Sequence, residues 1–200
     1  MKNIINNSDL TNLKSIGINN VIINTVFDGN DIVVGNNCTI KNCIIKDKTC
    51  ITDSYLEESN IGCNVSIGPY SHIRPNCSIG DNCKIGNYVE IKNSTIGANT
   101  KVNHLAYIGD AIIGKNSNIG CGVIFCNYNG VEKNISIVGD NCFVGSNSNI
   151  IAPVKIANDT YICAGTTVTK NSESGDFVIG RVNAETKPNY SYYLKTKIKK

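Results

Sequence analysis

Residues 61–91 read IGCNVSIGPYSHIRPNCSIGDNCKIGNYVEI, and Ile returns at every sixth position: Ile61, Ile67, Ile73, Ile79, Ile85 and Ile91. The beat continues at Ile96, Val102 and Ile108, at Ile113 and Ile119, and at Val138, Val144, Ile150, Ile156, Ile162 and Val168. Backwards it extends through Leu56, Ile51, Ile45, Ile40 and Val34. Gly follows many of these aliphatics, as at Gly62, Gly68, Gly80 and Gly86, and a small residue stands two places before, as at Ser71, Cys77, Cys83 and Ser94. Each hexad therefore supplies a short strand and a corner. The aliphatic side chain points inward, the small residue fits the tight turn, and Gly or Asn tolerates the backbone of the bend. Three hexads make one triangular coil, and coils stack by parallel pairing about 4.8 Å apart. A coil cannot bury its own faces and needs neighbours above and below. The period thus predicts an all-β solenoid, a parallel β-helix of about seven to eight triangular coils with one protruding loop. It does not set the hand of the coil.

Two hundred residues, 41% hydrophobic and without Trp, suit one elongated domain. The repeat assigns residues 21–182 to the solenoid. Residues 1–20 read as a polar lead-in with a short helix around Leu10 to Ile16, and residues 183–200 as a basic tail ending NYSYYLKTKIKK. Of the ten Cys, Cys38, Cys43, Cys77, Cys83 and Cys142 fall in the small-residue slot, where a compact side chain packs well. There is no CxxC, so neither a metal site nor a disulfide framework is expected, and abundant free thiols suit the reducing cytoplasm. No cationic stretch followed by an apolar core opens the chain, and no apolar run approaches membrane-spanning length. A net charge of +3 is compatible with anionic small molecules and too small to argue for nucleic acid.

Function is sought where the repeat breaks. Arg74 and Lys92 take the Gly slot after Ile73 and Ile91, 18 residues and hence one coil apart. Stacked cations repel, and an anion between them reverses the sign of that interaction. Phosphate or carboxylate binding is one reading, and two solvated charges the other. A second column appears when five-residue steps are allowed at Ile91 to Ile96 and at Ile108 to Ile113. His104, Cys121, Ser146 and Ala164 then stack in successive layers, provided the interval from Phe125 to Val138 is one hexad plus seven inserted residues, with CNYNGVEKN exposed. This strip spans roughly 14 Å and is small-sided above the His. A long thin ligand parallel to the axis would fit it with its reactive end at His104. His72, the other His, is expected to point outward without a chemical role.

The segments IGPYSHIRP (67–75), GNYVEIKNS (86–94), NHLAYIGDAIIG (103–114), NIGCGVIFCNYNG (118–130), VGDNCFVGSN (138–147), APV (152–154) and AGTTVTK (164–170) carry a specific resemblance. Together they resemble the acetyltransferase half of the bifunctional bacterial enzyme that makes UDP-N-acetylglucosamine, within the hexapeptide-repeat acyltransferase superfamily. That resemblance implies a left-handed parallel β-helix, a homotrimer with active sites between subunits, and acetyl transfer from acetyl-CoA to the amine of glucosamine 1-phosphate. By the same resemblance His104 is the general base, Arg74 and Lys92 hold the sugar phosphate, and Tyr107 and Asn118 contact the acceptor sugar. Asn127 and Tyr128 lie near the acetyl group and CoA, and Cys121, Ser146, Ala164 and Arg181 line the CoA path.

The chemistry is coherent. The attacking amine must be neutral, and an imidazole, which ordinarily titrates near ~6.5, accepts its proton. The tetrahedral oxyanion needs preorganised donors, for which the backbone N–H near Cys121 and the Asn127 amide are candidates. Cys121 beside the base invites a nucleophilic reading, but the family usually carries Ala there and needs no acyl-enzyme. The chain begins at Met1 without a Gly-rich nucleotide loop followed by Arg, so no uridyltransferase domain is expected. The tail lacks the family's Trp. Three other readings compete. One is an acetyltransferase acting on another amino sugar phosphate or nucleotide amino sugar, and one is a non-catalytic solenoid. The third, a γ-type carbonic anhydrase, needs three His per zinc, which His72 and His104 cannot supply.

Overall fold

The computed structural model describes residues 2–197. Its hexads are short parallel strands that wind into a left-handed β-helix of triangular section. One inward column runs Ile16, Val34, Ile51, Ile67, Ile85, Val102, Ile119, Val144, Ile162 and Val178, ten paired strands. At about 4.8 Å per layer the stack is roughly 43 Å long. A second column includes Ile73, Ile91, Ile108, Phe125 and Ile150, and a third includes Ile61, Ile79, Ile96, Ile113 and Val138. All eighteen of the aliphatic and aromatic side chains named from Val34 to Ile162 in these columns are buried. Each contributes about 1.5–3 kcal/mol by leaving water.

Corners follow from the same sequence logic. The small-residue slot ties each coil to the next: Ser71 Oγ donates to the Gly86 carbonyl at 2.6 Å, Thr100 Oγ1 to Gly114 at 2.8 Å and Cys83 Sγ to Gly97 at 3.1 Å. Burial pushes the Cys43 thiol up to about 11 and also raises Cys38, Cys77, Cys83 and Cys142. These thiols are packing groups rather than nucleophiles. Another corner is left-handed at Asn64, Asn82, Asn99, Asn116 and Asn141, a conformation Asn tolerates better than most residues. Their amides join from layer to layer, as Asn64 to Asn82 at 2.9 Å and Asn99 to Asn116 at 3.0 Å.

Two of the three faces merge into one 18-stranded sheet. The nine-residue strands Lys84–Lys92 and Lys101–Gly109 pass round the corner between them, with Tyr88 and Leu105 left-handed at the bend. The insertion after Phe125 is as counted: Ile113 pairs with Val138, 25 residues on, whereas Ile61 pairs with Ile79, 18 on.

The lead-in differs from the sequence reading. Ile4–Asn6 pairs with Val21–Ile23, and Leu13–Ile16 pairs with Ile32–Val34 across a bulge, so residues 10–16 hold a strand where a helix was expected. Backbone hydrogen bonds offered by the coil above decide this, since a lone helix there would bury little. In the tail, Tyr190–Lys197 is a short helix; residues 198–200, the end of the expected basic tail, lie outside the described residues.

Candidate active site on two corners

Register fixes the first corner. Lys101 and Val102 pair with Asn118 and Ile119, these with Phe143 and Val144, and these with Tyr161 and Ile162. Carried forward along the strands, that register aligns His104, Cys121, Ser146 and Ala164, and all four are exposed. One layer below, Asn87 pairs with His104, and its Oδ1 lies 3.2 Å from His104 Nδ1. At the upper end Arg181 Nη1 donates to the Ala164 carbonyl at 2.7 Å. The strip between is walled by small side chains and backbone.

The second corner is crowded and charged. Ile73 pairs with Ile91, which sets Arg74 beside Lys92, and Lys92 in turn pairs with Gly109. Arg74 is not the free cation that the sequence implied. Its Nη1 holds Glu90 Oε1 at 2.9 Å, and Glu90 is reached because the strand alternates its outward residues at 90 and 92. The second unneutralised cation comes from the inserted loop instead. Lys133 closes on Lys92, and the neighbouring ammonium holds Lys92 below the usual lysine value. The loop achieves this by folding back on itself: Tyr128 and Lys133 form an antiparallel bridge, the Asn134 N–H reaches the Asn127 carbonyl at 2.7 Å, and Asn129 Oδ1 accepts the Val131 and Glu132 N–H groups at 2.9 Å.

Asn127 is buried at the root of that loop. Its Nδ2 donates to Asp110 Oδ2 and lies 3.5 Å from Tyr107 Oη, while Asn93 Nδ2 donates to Asp110 Oδ1 at 2.6 Å. Gly109 makes room for this cluster. A Cβ there would meet Tyr107 Oη and would stand 2.7 Å from Asn127 Nδ2.

The structure therefore gathers the sequence-predicted residues into two groups. His104, Cys121, Ser146, Ala164 and Arg181 share the first corner, and Arg74, Lys92, Tyr107 and Asn127 the second. Asn118 lies on the first face, three residues before Cys121, and Tyr128 is on the exposed loop with its hydroxyl on the Gly130 carbonyl at 2.7 Å. Five residues separate His104 from Gly109 along one strand, on the order of 15 Å. Five participants escaped the sequence reading: Asn87, Glu90, Asn93, Asp110 and Lys133. Counting 17 back from His104 finds Asn87, but no period reaches Lys133. His72 is half-buried against Tyr55, with ring centroids 5.1 Å apart. Among the described residues no group of three or more His, Cys, Asp or Glu is placed to hold a metal, and no helix is long and apolar enough to cross a membrane.

Residues 55–137 match the family described as the GMPPB C-terminal domain, and residues 135–170 match the bacterial transferase hexapeptide family of six repeats. The bifunctional protein GlmU of Clostridium kluyveri is 43% identical over 173 residues, covering 84% of this chain and 38% of that protein. This chain belongs to the hexapeptide-repeat acyltransferases. Within that family GlmU of Listeria monocytogenes is 46% identical over 166 residues, 83% of this chain and 36% of the relative. The chain thus spans well under half the length of the curated relatives it matches. Among solved structures, LpxA of Bacteroides fragilis, a UDP-N-acetylglucosamine acyltransferase, superposes with a TM-score of 0.58 at 17% identity, covering 72% of this chain and 63% of that one. At that identity the likeness is one of fold.

Proposed function

We propose that this protein is an N-acetyltransferase that moves the acetyl group of acetyl-CoA to the amine of glucosamine 1-phosphate, giving N-acetylglucosamine 1-phosphate for UDP-N-acetylglucosamine and cell-wall precursor synthesis. The observation that carries the proposal is the setting of His104. Asn87 Oδ1, an acceptor 3.2 Å from Nδ1, favours the neutral tautomer that carries its proton there and its lone pair on Nε2. That lone pair stands at the foot of the small-sided strip leading through Cys121, Ser146 and Ala164 to Arg181.

In this reading His104 takes a proton from the attacking amine as its nitrogen bonds to the thioester carbon. The tetrahedral intermediate then collapses, the C–S bond breaks, and the CoA thiolate leaves with a proton. Residues 21–182 carry the activity. Lys92, Lys133 and Arg74 receive the sugar phosphate, which supplies the negative charge that the two facing ammonium groups lack. Tyr107 and Asn118 orient the sugar, and Asn127 and Tyr128 border the acetyl group. Because the two corners of one chain lie too far apart to serve one small acceptor, the cation corner of one copy faces the His104 corner of the next. A closed homotrimer satisfies that head-to-tail pairing. The reading needs no resident metal, and the abundant free thiols suit the reducing cytoplasm.

The testing experiment is steady-state CoA release with glucosamine 1-phosphate, glucosamine and galactosamine 1-phosphate. Turnover with glucosamine 1-phosphate, at a KM far below that of glucosamine, is expected. Preference for a different amino sugar phosphate would move the acceptor while keeping the chemistry, and no release with any of them would end the proposal.

A further inference from the structure

Beside the His104 strip, three residues earlier on each strand, an aromatic ladder stands on the open face. Phe143 stacks on Tyr161 at 4.7 Å between ring centroids and 17° between planes, and Tyr161 stacks on Phe177 at 5.4 Å and 14°. The three residues are 38%, 45% and 66% exposed, increasing toward the end of the solenoid. Below Phe143 the same column continues with Asn118 and then Lys101. A solvent-facing stack of this kind gains nothing from the core that it does not touch. Among the described residues no ring lies on the outer face of Phe177.

We infer that this ladder is a seat for the purine of the acyl-CoA nucleotide, with the ring system lying on the outer face of Phe177. The inference rests on the reading of the first corner as the acyl-CoA path and extends it to an end of the cofactor that none of the residues above was assigned to hold. Three points support it. First, direction: the reactive end belongs at the layer of His104 and Cys121, and Phe177 pairs with Tyr161 in the last layer, about 14 Å up the axis from Cys121. That is the reach of an extended pantetheine arm, so the nucleotide arrives at the level of Phe177. Second, charge: Arg181, four residues after Phe177, reaches down across the Ala164 corner one layer below and offers its guanidinium to the cofactor's phosphates. The offset between Ala164 and Tyr161 is about 10 Å, comparable to the span from a base to its 5′-phosphates. Third, surface chemistry: an exposed, flat aromatic face matches the π-face of a base without needing hydrogen-bond readout. The Tyr161 and Phe143 rings beneath it hold the top ring flat.

The test compares acetyl-CoA with acetyl-4′-phosphopantetheine, which keeps the arm and thioester but lacks the 3′-phospho-AMP portion. The wild-type protein is expected to prefer acetyl-CoA by KM. Phe177→Ala should reduce that preference about tenfold, within the range that base stacking on an aromatic side chain supplies, and Phe177→Trp should retain it. Direct titration with 3′,5′-ADP provides a second readout, with binding to the wild type weakened in Phe177→Ala. An unchanged preference in Phe177→Ala, or equal KM rises for both donors, would overturn the inference. So would dissociation of the assembly in Phe177→Ala, which would make the ladder a contact between copies. If the wild type turns over neither donor but binds 3′,5′-ADP through Phe177, the acetyl-transfer reading fails while the nucleotide seat stands.

Discussion

The strand Lys101–Gly109 bends at one corner beside His104 and ends at another at Gly109, and the two are built from the same repeat with opposite characters. At the His104 corner the side chains are small, exposed and almost free of mutual hydrogen bonds, apart from Asn87 on His104 and Arg181 on the Ala164 carbonyl. At the Arg74 corner, ion pairing to Glu90, the Lys92 and Lys133 pair, and the Asp110, Asn127 and Asn93 network fill the space. A bare strip suits a long ligand that slides in and is read mainly by shape. A crowded, cationic corner suits a small anion held in one orientation. On the proposed function, this contrast puts donor and acceptor at different corners, and so at different copies of the chain.

Altering the His104 corner should do most damage to turnover. His104→Ala is expected to lower kcat by roughly 10²–10⁴-fold, the usual worth of a general base, with circular dichroism and oligomeric state unchanged. Near-normal turnover would remove the base from the mechanism. At the other corner the loss should appear in acceptor binding. Arg74→Ala should raise the acceptor KM about 10–100-fold, the worth of a charge-assisted hydrogen bond, while the acetyl-CoA KM stays within about twofold of wild type. If instead the donor KM moves and the acceptor KM does not, the two corners have been assigned the wrong way round.

Gly109→Ala sharpens the account of crowding. The added methyl group would collide with Tyr107 and Asn127, and overpacking of this kind costs about 1–3 kcal/mol. A measurable fall in the denaturant midpoint together with weaker acceptor binding is expected. A variant of unaltered stability would show that the cluster has room to shift. The smallest effect belongs to neither corner. Cys142→Ser should change stability by less than about 1 kcal/mol and leave activity intact, because Ser59, Ser71, Ser94 and Ser117 fill equivalent buried slots elsewhere. A large loss would mean that sulfur volume, rather than the hydrogen bond to the next coil, fills that slot.

Much of this was legible in the sequence because a solenoid turns sequence distance into spatial distance. Counting by 17, 18 or 25 residues recovers the neighbours of His104 and Arg74, since nothing but one parallel pairing per layer decides who touches whom. The reading failed where the period did. Residues 1–20 carry only scattered aliphatics, and their pairing with Ile32–Val34 runs through a bulge, so the polar stretch looked like a lead-in rather than a coil. Lys133 lies in the inserted loop, whose path is set by Asn129 turn hydrogen bonds rather than by the hexad. Glu90 was in plain view two residues before Lys92, yet its claim on Arg74 depends on side-chain reach that no spacing rule conveys. The aromatic ladder obeys the register throughout, but its residues fall one place before the aliphatic beat, on the face that a core-directed reading passes over.

The proposed division of the site between copies can be tested without any ligand structure. His104→Ala and the double variant Arg74→Ala, Lys92→Ala should each be nearly inactive alone. After co-refolding in equal amounts, random assortment into closed trimers restores one intact pair of corners in every mixed assembly, and about a quarter of wild-type activity should return. Activity of the mixture no greater than the average of the two separate variants would contradict the account, because it would place both corners' chemistry within a single chain.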